Sequence, residues 1–231
     1  MNITDGLHNR KIKSFDGHQL NSYTNFQGPA NFERPLFILN SGLVCRFAWW
    51  YYLLPFLHDH GAQFVIHEYR GHFDGQYHFQ KNNIRFEVMA KDIYSIAEHV
   101  KTKKVVCIGH SMGVNVSLEF ACSYPKLLKG MILLSGSYLA PSDFIFHTHY
   151  VGQLLKLLRP FINKRPFIPQ MVWTNSKYNP VVKKLVHFLG TNIKTTPQHI
   201  IETYVKDVGY LNIELFFTLL ELLDNHDIGH R

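Results

Sequence analysis

The sequence predicts an α/β fold built on a mainly parallel sheet, and three observations carry that prediction. Short, uniformly apolar runs (Leu36–Leu39, Phe64–His67, Val105–Ile108 and Met131–Leu134) alternate with segments of helical periodicity. Parallel strands are covered on both faces, which is why they are apolar at every position, and the alternation implies right-handed strand–helix–strand crossovers. The third observation is the pentapeptide Gly109-His110-Ser111-Met112-Gly113, set between one apolar run and a helix-like segment. In such sheets reactive groups collect at the carboxyl ends of strands.

In chain order, "KIKSFDGHQLNSYTNF" reads as two strands about a turn, because Asp16-Gly17 supplies the backbone dihedrals of a tight hairpin. "PLFILNSGL" reads as a buried strand ending in small polar residues. In "CRFAWWYYLLPFLHDHG" the residues Trp50, Leu53, Leu54 and Leu57 fall at helical spacing, with Gly61 as the stop. A strand in "AQFVIHEYRGH" follows, then a helix through Met89, Ile93, Ile96 and Val100, the strand "VVCI", a helix from Val114 to Tyr124, and the strand "MILLSGS". From Ala140 onward the chain reads as helical or irregular, broken at Pro160, Pro166 and Pro169, with helical periodicity in "IIETYVKDV" and "YLNIELFFTLLELLDNHD".

With 231 residues, 46% of them hydrophobic and 18% charged, the chain can bury one full core. Its formal charge of +7 raises nucleic acid as a partner. The lysines and arginines are scattered, however, apart from Lys101-Thr102-Lys103-Lys104 and a loose group from Lys156 to Arg165. That is the pattern of a solvated surface, and no nucleic-acid partner is expected. No histidine pair has metal-ligand spacing, His147-Thr148-His149 coming nearest, so no metal is expected. Cys45, Cys107 and Cys122 fit no disulfide framework, which points to a reducing, cytoplasmic setting. The amino terminus lacks the apolar core of a signal peptide. No uncharged apolar run reaches the length of about 18 residues that a membrane span needs.

A serine alone is a poor nucleophile and needs a base and an acid to activate it. Here the context would hold Ser111 on a sharp strand-to-helix turn, with its Oγ at the amino end of a helix. There the helix dipole and free N–H groups favour developing negative charge. A side chain at Gly109 or Gly113 would collide with the neighbouring strand or helix.

With "DGHQL", "FILNSGL", "HEYRGH", "GHSMG" and "YPKLLKGMILLSGS" in that order, the chain resembles the α/β-hydrolase fold superfamily, of the lipase, esterase and epoxide-hydrolase-like type. The resemblance implies a core of residues 1–140 and a helical cap or lid of residues 141–231 after the sixth strand. It implies Ser111 as the nucleophile, the backbone N–H groups of Leu43 and Met112 as an oxyanion hole, and no cofactor. His110, before the serine, reads as a packing or hydrogen-bonding residue. Three departures are Asn40-Ser41-Gly42 where many members have His-Gly, Glu68 where Asp is usual, and Phe73-Asp74-Gly75, which alters the glycine after the histidine. A serine at the elbow argues against epoxide-hydrolase or dehalogenase chemistry, which uses an aspartate there. Trp49, Trp50, Tyr51 and Tyr52 read as core. The stretch from Phe144 to Trp173 reads equally as a lid that meets acyl chains or a lipid surface and as a cap packed over the sheet.

In the family the catalytic acid follows the next strand after the cap, and the histidine follows the strand after that. The chain's last residues, "LLDNHDIGHR", would lead into that strand, so the fold is expected to be carboxyl-terminally incomplete, from a truncated or split coding sequence. Asp143 is a weak substitute for the acid, and His187, His199, His226 and His230 read as ordinary surface or helix histidines. Met131–Leu134 would then be an uncovered sheet edge. The expected function is a serine hydrolase acting on a carboxylic ester or related acyl bond of a small molecule. Alone it would be weak or inactive, and a complementing carboxyl-terminal fragment would restore it. The alternative is a non-catalytic remnant or binding module that keeps the pocket without the triad.

Overall fold

The first two strands, β1 (His8–Lys13) and β2 (Gln19–Thr24), pair antiparallel about Asp16-Gly17. They belong to a computed structural model that describes residues 6–73, 81–138, 160, 167–176 and 195–229. Gly17 takes a φ of 86°, and the His18 N–H donates to Asp16 Oδ1 at 3.1 Å, so each turn residue has its conformational reason. β1 begins at His8, ahead of the apolar alternation. Its sequence HNRKIK is charged, as suits an outer strand that must resist pairing with other chains.

Four parallel strands follow: β3 (Leu36–Asn40), β4 (Gln63–His67), β5 (Val105–His110) and β6 (Leu128–Leu134). The sheet order is β1-β2-β4-β3-β5-β6, with β2 joined to β4 antiparallel. The crossovers carry α1 (Leu53–Asp59), α2 (Phe86–His99) and α3 (Met112–Ser123). Alternation along the strands divides the interior. Ile38, Val65 and Cys107 face a large cluster with the apolar stripe of α2, whereas Leu39, Ile66 and Ile108 face a smaller one with Trp50, Leu54 and Leu57. A buried clamp secures the hairpin to this core. The Arg70 guanidinium donates to Asp92 Oδ2 at 2.8 Å and to Asp16 Oδ2 at 2.8 Å, and the Ser14 hydroxyl donates to Asp92 Oδ1 at 2.5 Å. Removing one member of such a buried pair typically costs about 3–5 kcal/mol.

After β6 the described helices are α4 (Phe167–Ser176), α5 (Gln198–Tyr210) and α6 (Ile213–Asp224). Asn212 caps α6, its Oδ1 accepting from the Glu214 and Leu215 N–H groups. Val208, Leu211, Leu215 and Leu219 join the large core cluster, so α5 and α6 pack on the sheet layer. No helix among the described residues is long and apolar enough to cross a membrane.

β6 ends the sheet. Its Met131, Ile132, Leu133 and Leu134 are 38%, 46%, 41% and 40% exposed, whereas Cys107 on the adjoining β5 and Ile38 on β3 beyond it are fully buried. Successive side chains point to opposite faces, so both faces of this edge present apolar surface. His147-Thr148-His149, Asp143, His187, His230, Asp74-Gly75 and most of the stretch from Phe144 to Trp173 lie outside the described residues.

Candidate active site

Ser111 stands at the junction of β5 and α3 with φ 53° and ψ −119°, a combination that L-residues rarely adopt. Two backbone bonds hold it there. Its N–H donates to the Leu134 carbonyl at 2.9 Å, and its carbonyl accepts from the Val114 N–H at 2.9 Å. The flanking glycines have the steric cause that the motif suggests. A Cβ on Gly109 would lie 2.5 Å from the Gly113 oxygen, and one on Gly113 would lie 1.9 Å from the Asn40 oxygen. Backbone packs directly on backbone where β3, β5 and α3 converge.

Small polar residues at the end of β3 fix the loop opposite the serine. The Asn40 amide donates to Ser117 Oγ at 2.8 Å, and that hydroxyl donates to the Gly113 carbonyl at 2.7 Å. His67 Nε2–H donates to Asn40 Oδ1 at 3.1 Å. Ser41 accepts twice, on its carbonyl from the Tyr69 hydroxyl and on Oγ from Trp50 Nε1, both at 2.9 Å. A Cβ on Gly42 would lie 3.1 Å from Ser111 Cβ, 3.1 Å from Cys45 Sγ and 3.0 Å from His110 Nδ1. Leu43, the next residue, therefore begins beside the serine. Among the described residues nothing accepts from the Leu43 N–H. Met112 opens α3, where an N–H has no acceptor within the helix. These are two donors of the kind that a tetrahedral oxyanion requires.

Aromatic rings surround the elbow. His110 stacks on Trp49 with centroids 5.2 Å apart, and Trp49 meets the edge of Tyr204 on α5 at 5.5 Å. Burial lowers the His110 imidazole from its ordinary range, consistent with a packing role. The four aromatics expected in the core divide: Trp50 is buried, whereas Tyr52 is 67% exposed and Trp49 lies against the residue before Ser111.

His226 departs from its reading as a surface or helix histidine, because its side chain is only 7% exposed. The Asn115 amide donates one N–H to the Ser137 carbonyl at 3.1 Å and lies 2.9 Å from His226 Nδ1. Nδ1 is thus the unprotonated nitrogen, and Nε2–H donates to Glu119 Oε1 at 3.0 Å. Both ring nitrogens are engaged one and two turns along α3 from Ser111, so the ring is not free to take the serine's proton. His199 packs on Tyr51 at 5.4 Å.

Glu68, where the family usually has Asp, accepts from Arg46 Nε at 3.0 Å and from the Asn21 amide at 3.1 Å. Nearby on α5, burial raises the Asp207 carboxyl to about 7, with Arg46 opposing the rise and Glu68 adding to it. Among the described residues no cluster of three or more His, Cys, Asp or Glu is arranged to hold a metal ion. The roles of Asn40, Asp207 and the His226–Glu119 pair were not apparent in the sequence. For Asn40 the only signal was a run of small polar residues after an apolar strand.

This elbow, its facing loop and the strand order define a class. The sequence profile of the alpha/beta hydrolase fold matches residues 35–164, more than half of the chain, and the chain belongs to that family. It is 40% identical over 67 residues to the uncharacterized hydrolase YugF of Bacillus subtilis, a match covering 28% of this chain and 24% of that protein. It is 29% identical over 59 residues to a putative esterase/lipase of Haemophilus influenzae, covering 26% and 21%. These matches thus span about a quarter of the curated relatives' length. Among solved structures, the esterase EaEST of Exiguobacterium antarcticum superposes with a TM-score of 0.67 at 14% identity, covering 95% of this chain and 75% of that one. The epoxide hydrolase VrEH1 of Vigna radiata gives 0.65 at 13%, covering 96% and 74%. At such identities the likeness is one of fold.

Proposed function

We propose that the chain is the nucleophile-bearing portion of a serine hydrolase that cleaves a carboxylic ester or related acyl bond of a small molecule. Residues 1–140 form its core and residues 141–231 its cap. The observation that carries this reading is the backbone of Ser111, held at φ 53° with Gly42 packed against its Cβ. In this mechanism Ser111 Oγ adds to the carbonyl carbon as its proton passes to a base. The Leu43 and Met112 N–H groups stabilise the oxyanion, the alcohol leaves with a proton, and water hydrolyses the acyl-enzyme. Base and acid come from a further polypeptide segment, whose strand pairs with the exposed edge of β6.

The engagement of both His226 nitrogens favours a second reading, a non-catalytic binding module of the same fold. Hydrolysis of a short-chain p-nitrophenyl ester separates the two. The 231-residue chain alone should turn over weakly or not at all. Adding a carboxyl-terminal polypeptide with two strands, an Asp and a His should restore turnover, and Ser111→Ala should abolish it. A restored rate indifferent to Ser111→Ala would remove the nucleophile assignment, and failure of every such segment to restore turnover would favour the binding module.

A further inference from the structure

Beside the Gly42 loop lies a chamber of about 10 Å³, counted as space open to the centre of a water molecule. Ser41 and Cys45, at the two ends of the loop, form part of its wall, and His67, Glu68 and His72 form another. Both histidines are at least nine-tenths buried, and among the described residues three of their ring nitrogens have no partner at hydrogen-bond geometry: His67 Nδ1, His72 Nδ1 and His72 Nε2. Buried polar atoms of this kind are seldom left unsatisfied.

The chemistry of the wall narrows the occupant. His67 donates through Nε2 to Asn40, so its Nδ1 offers a lone pair. Burial holds both rings down to about 4, so each is neutral near pH 7, and His72 offers one N–H and one lone pair. Arg46 and Glu68 both line the chamber and are paired with each other, so an ion of either sign finds no uncompensated counter-charge there. The Cys45 thiol, which burial keeps protonated, donates to the Leu43 carbonyl at 3.4 Å. The volume admits one small neutral molecule that both donates and accepts.

We propose that this chamber binds a single water molecule, held by His72 and His67 Nδ1, and that this water supports the Gly42 loop where Ser41 and Cys45 line the chamber. The loop has direct ties at Ser41 from Tyr69 and Trp50, and the water adds one more from the chamber. The inference concerns the loop's anchorage and holds whether or not Ser111 turns over.

A crystal structure of the chain at better than about 1.8 Å, with His72→Phe beside it, tests the proposal; hydrogens are not visible there, but a water oxygen is. The expected result is one peak within hydrogen-bond distance of a His72 nitrogen and of His67 Nδ1, lost in His72→Phe. Amides of residues 41–45 should then exchange about tenfold faster in the variant, the equilibrium worth of about one hydrogen bond. A chamber without density, an anomalous signal from a metal, or a peak that persists in His72→Phe overturns the site. Loss of the peak with unchanged exchange overturns the support role. Should His72→Phe fail to fold, water–imidazole cross-peaks in the native protein decide, their absence overturning the proposal.

Discussion

Replacing Gly113 by alanine sets two effects against each other. Gly113 is the second residue of α3, and an alanine there gains up to about 1 kcal/mol of helix propensity. The added Cβ, however, would lie 1.9 Å from the Asn40 oxygen, 2.5 Å from its carbonyl carbon and 2.9 Å from the Ser41 oxygen. All three are backbone atoms, so no side chain can rotate away, and relief requires β3 and α3 to separate by roughly 1 Å. Overpacking of a well-filled interior costs about 1–3 kcal/mol and occasionally more, and a clash against two fixed backbones belongs at the upper end or beyond it. The clash wins, with a net loss of at least about 2 kcal/mol against a total stability of about 5–15 kcal/mol. Urea denaturation should show it as a lower midpoint, with Gly130→Ala as the control, since a Cβ on Gly130 meets nothing within 4 Å. A Gly113→Ala midpoint equal to or above that of Gly130→Ala would refute the close approach of β3 to α3.

Two further predictions concern strain and pH. Ser111→Gly should raise stability by about 1 kcal/mol, because glycine tolerates the positive φ, while removing the proposed nucleophile. An unchanged or lower Tm would contradict the strained turn. His67 and His72 are held down to about 4 against 6.5 in the unfolded chain, so between those pH values the unfolded state binds more protons and stability falls as pH falls. From pH 7 to 4.5 the two rings together lose about 5 kcal/mol. Asp207 works in the opposite sense. Raised to about 7 from 3.8, it binds its proton more tightly when folded and returns about 3 kcal/mol over the same range. These three groups together should therefore cost the native chain about 2 kcal/mol and the Asp207→Asn chain about 5, with His110, also held down by burial, adding the same further loss to both. Identical urea midpoint shifts in the two proteins would show that Asp207 does not titrate in this window.

What could be read from the sequence was local. The Asp16-Gly17 turn, the uniformly apolar strands, the stripe on α2 and the serine elbow each announce themselves within a dozen residues, because dihedral preference and periodicity act at that range. The expected exposure of Met131–Leu134 followed as well, since an apolar strand needs a neighbour wherever the sheet stops. Contacts made at long range left no pattern. His226 and Glu119 are 107 residues apart, and a lone histidine after a helix gives no sign that it will be buried against another helix. Trp49 looked like core because its neighbours are aromatic, yet only the crossing of α5 over the loop sets it between Tyr204 and His110. The carboxyl of Asp207 carried no local mark either, because its burial within the fields of Arg46 and Glu68 is a property of packing.

Covalent labelling tests directly whether Ser111 is a nucleophile. The chain, together with the carboxyl-terminal polypeptide of the turnover assay, is treated with a fluorophosphonate, and the adduct is located by peptide mass. One equivalent of label is expected on Ser111 and none in Ser111→Ala. Label on another residue, or equal labelling of the Ser111→Ala protein, would contradict it.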